Sequence, residues 1–101
     1  MEPTQGFWVL PTGTIESGVA FYDQEHGAIA FDPDTDRQRL YLEEGEDFFW
    51  HLDQAIAAGH KILLADVDAA SREGKAQWRA AWENLKEFEV KHKLTTPVLG
   101  F

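Results

Sequence analysis

Between Gly6 and Leu42 the chain falls into four short apolar runs, each bounded by turn chemistry. GFWVL at 6–10 stops at Pro11 and Gly13. GVAFY at 18–22 follows Ser17, GAIAF at 27–31 follows the connection from Asp23 to Gly27, and RLYL at 39–42 alternates in the same manner. Runs this short, rich in aromatic and aliphatic residues and punctuated by Gly, Pro and Asp, read as strands. The Asp23 to Gly27 connection has the length and residue types of a hairpin loop. The first 42 residues are therefore predicted to form three or four antiparallel strands.

The period changes after Leu42. EEGEDFFWHLDQAIAAG at 43–59 opens with acids, which favour a helix N-terminus, and places Phe49, Leu52 and Ile56 at helical spacing. Gly59 reads as its C-terminal stop. KILLAD at 61–66 reads as a short strand, with Asp66 or Asp68 placed to cap the next helix. From Ala69 to His92 the pattern is helical again, and Trp78, Trp82, Leu85 and Phe88 share one stripe. Gly74 weakens the first turns, and the TTPVLGF tail does not read as helix. The expected fold is α+β: a small antiparallel sheet of three to four strands with two helices, the longer one C-terminal. At 101 residues, 1–101 is expected to be a single domain. The 69–92 stripe is its main core or interface element, the latter implying a homo-oligomer.

The chain carries a formal charge of −9, placed unevenly. Residues 1–60 hold 12 acids and 2 bases, whereas 61–101 hold 6 acids and 7 bases. An acidic front half repels phosphate, so direct nucleic-acid binding is disfavoured, and so is an anionic membrane. It serves solubility, or it docks on a basic protein or imitates a phosphate backbone. With no cysteine, disulfides and thiolate metal sites are excluded. No secretory signal pattern and no run of about 20 apolar residues occurs, so a cytoplasmic protein is expected.

Catalytic patterns are weak. DPDTDRQRLYLE at 32–43 has the acid spacing of a calcium loop, but Arg37 stands where the sharp turn needs glycine. No metal is expected there. His26, His51, His60 and His92 form no metal-binding spacing, and Ser17 and Ser71 lack a nucleophile elbow. Neither an enzyme nor a cofactor is expected.

One stretch, FYDQEHG at 21–27, has a distinctive grouping of two aromatics, two acids, a histidine and a glycine. With it come Asp32, Pro33 and Asp34, then Glu46, Asp47 and Trp50, then Gly59, Lys61, Ile62 and Asp66. In this order, over residues 18–66, the chain resembles the bacteriophage tail fibre assembly proteins, small cytoplasmic chaperones. It departs from them in a His-Gly step one residue shorter and in His60, which intrudes between Gly59 and Lys61. The resemblance implies a host-cell cytoplasmic protein that engages a folding fibre without a cofactor. On that reading Phe21 packs inward, Tyr22 presents its hydroxyl and Gly27 closes a turn. An acidic inhibitor of a nucleic-acid-binding host defence complex, of the anti-CRISPR type, is the alternative. Three successive aromatics, Phe48 to Trp50, cannot all face one core from a helix. The expected partner-binding residues are Tyr22, His26, Phe48, Trp50, Asp32 and Asp34.

Overall fold

The computed structural model describes residues 2–35, 38–65 and 75–95. Among these residues five strands, β1 (Thr4–Val9), β2 (Ile15–Asp23), β3 (Ala28–Pro33), β4 (Leu40–Leu42) and β5 (Phe48–Phe49), precede two helices, α1 (Leu52–Ala65) and α2 (Lys75–Thr95). The sheet order is β4-β3-β2-β1-β5, with every neighbouring pair antiparallel. The α+β architecture is as read from the sequence, with five strands in place of three or four. Asp36 and Arg37 of the calcium-like loop lie outside the described residues. So do the proposed caps Asp66 and Asp68, the stretch 69–74 and the tail after Thr95.

Residues 43–47 form a compact turn. The carbonyl of Glu43 accepts from the amides of Glu46, Asp47 and Phe48 at 3.2, 3.3 and 3.2 Å, and Asp47 Oδ1 accepts from the Glu43 amide at 2.8 Å. This turn joins the two edge strands, β4 and β5, so the sheet has to curl as a half-barrel. Its inner face holds Ala20, Ile29, Phe31, Leu42 and Phe48 as one buried cluster, with Trp8, Leu40 and Trp50 packed on it. Gly6 and Gly18 face each other in register. A Cβ on Gly6 would meet the Phe48 ring, and one on Gly18 the Asp32 carbonyl oxygen and the Phe31 ring. These two positions thus leave room for aromatic rings against the strands.

The outer face packs on the helices. Phe7 and Val9 of β1 and Ile15 of β2 meet Ala55, Ile56 and Leu63 of α1 and Ala81 and Leu85 of α2. The predicted stripe is the contact face of α2: Leu85 is fully buried, and Trp78, Trp82 and Phe88 are half-buried against the same cluster. Trp78 Nε1 donates to the Leu63 carbonyl at 3.1 Å, and His60 of α1 is hydrogen-bonded to Glu89 of α2. Asn84 reaches β2: its Oδ1 accepts from the Ile15 amide at 2.8 Å and its Nδ2 donates to the Ile15 carbonyl at 3.2 Å. The β2–β3 pairing ends at Gly18–Pro33, so this side-chain amide takes the place of a strand at the start of β2.

Two sequence expectations are corrected. The helix expected over 43–59 begins only at Leu52. The acids ahead of it build the turn, with Gly45 at φ 87°, a left-handed conformation incompatible with helix. Residues 61–65 of KILLAD are not a strand, because α1 continues through Ala65. Its buried residues, Ala55, Ile56, Gly59 and Leu63, keep helical spacing across the expected stop. Gly59 is there for close approach: a Cβ would lie 2.7 Å from Leu85 Cδ2 and 2.8 Å from the Gly13 carbonyl oxygen.

Candidate functional site

The FYDQEHG segment is a hairpin end. The Gly27 amide donates to the Asp23 carbonyl at 2.9 Å, and Gly27 takes φ 62°. Asp23 Oδ1 accepts from the amides of Glu25 (2.9 Å) and His26 (3.4 Å), and His26 Nδ1 lies 2.9 Å from Oδ2. Partial burial of Asp23 acts to raise its pKa, but the His26 contact and the two amides outweigh it and leave the carboxyl below its ordinary range. His26 is exposed and stacks on Tyr41, with ring centroids 4.1 Å apart. Tyr22 is 47% exposed. Phe21, on the opposite sheet face, is half-buried beneath the Arg39 guanidinium, 5.0 Å from the ring centroid. Asp23, Glu25 and His26 bring three ligand atoms within 4.8 Å of one another, and two of these groups, the Asp23 carboxylate and the His26 ring, are already hydrogen-bonded to each other.

Asp32 and Asp34 have internal partners. Arg39 grips Asp32 with two hydrogen bonds, Nε to Oδ1 at 2.8 Å and Nη2 to Oδ2 at 2.9 Å. The Arg39 hydrogen bonds hold the Asp32 carboxyl below its ordinary range, against a smaller opposing effect of desolvation. Ser17 Oγ donates to Asp34 Oδ2 at 2.7 Å.

The three successive aromatics take three different environments. Phe48 is fully buried, with its ring 5.8 Å from that of Phe31. Its expected role as a contact residue is therefore corrected. It lies on a strand, where successive side chains alternate between faces, and its face is the half-barrel interior. Phe49 turns to the helix side and is half-buried there. Trp50 lies beyond β5, half-buried, with the Phe48 ring edge-on at 4.6 Å.

Trp50 lines a groove of about 610 Å³ between the 43–47 turn and the first turns of α1. Glu44 and Gly45 form one side, and His51, Gln54 and Ala57 the other, with Phe48 and Phe49 behind. On the turn, a hydrogen bond with Glu43 and that group's charge raise the Glu46 carboxyl above its ordinary range, with Asp47 adding to the effect. The sequence reading had Trp50 but missed Glu44, Gln54 and Ala57. The spacing of Trp50, Gln54 and Ala57, close to one and two helical turns, was the available signal. The structure does not bring Tyr22 or His26 into this groove.

Among the described residues no helix is long and apolar enough to cross a membrane. No family model, curated protein or solved structure matches this chain.

Proposed function

We propose that this protein is a non-enzymatic, cytoplasmic partner-binding protein, an assembly chaperone for a phage or prophage tail fibre. The carrying observation is the groove at Trp50, where a half-buried indole lines a concave surface with aromatic backing. Large aromatics in such settings dominate protein–protein contacts, because they bury much area with few rotors. The tail fibre itself comes from the resemblance over residues 18–66. Tyr22 and His26, exposed at the hairpin end, are a second contact on this reading.

Co-expression with a tail fibre is the test. The parent chain should be co-purified with the fibre, and Trp50→Ala should lose it while circular dichroism stays unchanged. Raising salt from 50 to 500 mM should leave most of the affinity, because apolar burial is not screened and only the charge contact at the groove is. Unchanged capture by Trp50→Ala would remove the groove from the argument.

The acidic-inhibitor alternative is favoured by Glu43, Glu44 and Glu46, three exposed carboxylates on one turn. It is weakened by Asp32 and Asp34, whose carboxylates are held by Arg39 and Ser17. Steep loss of binding with salt, together with loss of activity on replacing Asp32 and Asp34 by Lys, would favour it.

A further inference from the structure

The groove has a sign as well as a shape. Glu44 lines it directly. Residues 40–60, which supply the whole lining, hold Glu43, Glu44, Glu46, Asp47 and Asp53 and neither Lys nor Arg; of these acids Glu44 is the one in the lining, where His51 also stands. The nearest preceding base, Arg39, is already committed to Asp32. Behind this rim stand Phe49 and Trp50, which offer an apolar wall and an aromatic ring.

We infer that the groove receives a Lys or Arg side chain carried on an apolar segment of the partner protein, with its stem along Phe49 and its charged head between Glu44 and the Trp50 ring. This rests on the partner-binding reading and specifies its ligand. A cation is drawn to the face of an indole and to a carboxylate, whereas an anion is repelled by both. Guanidinium suits the site best, being planar, weakly hydrated and able to stack on a ring while donating to a carboxylate. A purely apolar segment would gain nothing from the acidic rim. A nucleic-acid strand would place phosphates against it.

The probes are three blocked pentapeptides: Leu-Arg-Leu-Arg-Leu, its counterpart with both arginines replaced by the isosteric neutral citrulline, and its counterpart with glutamate. Each is titrated into the full ¹⁵N-labelled chain at 50 mM salt, following the Trp50 indole N–H and the Glu44 amide by NMR. The arginine peptide should move both signals and bind at least tenfold more tightly than the citrulline peptide. Glu44→Gln, at an exposed position, should cut that preference at least threefold. Trp50→Phe should retain part of it, and Trp50→Leu should lose it. Equal binding of the arginine and citrulline peptides, or tighter binding of the glutamate peptide, overturns the inference, even if fibre capture still depends on Trp50. So do shifts that fall outside the groove. Arginine-peptide binding by a chain that captures no fibre would instead sink the chaperone reading and leave the cation site standing.

Discussion

Gly59→Ala is the substitution whose sign depends most on how α1 packs against α2 and the β1–β2 turn. In an exposed helix interior, replacing Gly by Ala stabilises by roughly 1 kcal/mol through backbone entropy and helix propensity. Gly59 lies in the interior of α1, seven residues past its start at Leu52, but it is buried. Against that gain stand two contacts. The added methyl would lie 2.7 Å from Leu85 Cδ2 and 2.8 Å from the carbonyl oxygen of Gly13. Leu85 is fully buried and cannot swing into solvent. The Gly13 carbonyl is main chain, in the turn between β1 and β2, and cannot rotate away. Forcing extra volume into a closed core typically costs about 1–3 kcal/mol, and a backbone oxygen among the neighbours puts this case at the upper end. The net expectation is a loss of about 1–2 kcal/mol, or roughly 5–15 °C in Tm for a domain of this size. Thermal and urea unfolding of both chains measure it. Ala57→Gly, at an exposed position on the same helix, is the control and should lose about 0.5–1 kcal/mol from the propensity effect. If Gly59→Ala instead raises Tm as an exposed helical glycine would, α1 does not approach the β1–β2 turn this closely.

Four further outcomes are expected. Asn84→Ala leaves the amide and carbonyl of buried Ile15 without their partner and should cost about 1–3 kcal/mol in urea unfolding. Leu85→Ala, which empties a fully buried site, should cost about 2–5 kcal/mol by the same measurement. Gly27→Ala meets no atom within 4 Å, so only the left-handed φ opposes it, and the loss should be about 1–2 kcal/mol. Asp32 is held below its ordinary pKa in the folded chain, so its stabilisation is present above the unfolded value, about 4, and is lost as pH falls through the folded value. Asp32→Asn should therefore be less stable than the parent at pH 7, and the two should converge in acid; a constant gap down to pH 2 would refute the Arg39 assignment.

The parts of the fold that could be read from the sequence are those fixed by local chemistry. The hairpin at 23–27 follows from an aspartate that binds its own following amides and a glycine that accepts positive φ, both carried within five residues. The α2 stripe follows from periodicity. What was misread depends on distant partners. β5 is two residues long and exists because Phe49 and Phe48 pair with Phe7 and Trp8, some 40 positions away. Gly59 looked like a stop because a helix terminator and a close-packed helical glycine are the same letter. The question of which aromatic of 48–50 faces outward turned on strand alternation in a segment read as helix. Trp50 was within reach of that reasoning; the groove around it, built from the 43–47 turn and α1 together, was not.

Asn84 links α2 to a residue 69 positions earlier in the chain, and this has a bearing on the order of folding. Contacts of such long separation form late, after the intervening loop has lost its freedom. The strands can pair first, and until α2 docks, the main chain at Ile15 presents an unsatisfied edge. Such an edge is a template on which another chain can pair. A ribosome-bound chain lacking its last third would carry that hazard, and so would any variant in which α2 lifts away. One carboxamide thus guards the sheet from a neighbour, and its loss should show as aggregation during refolding at high protein concentration.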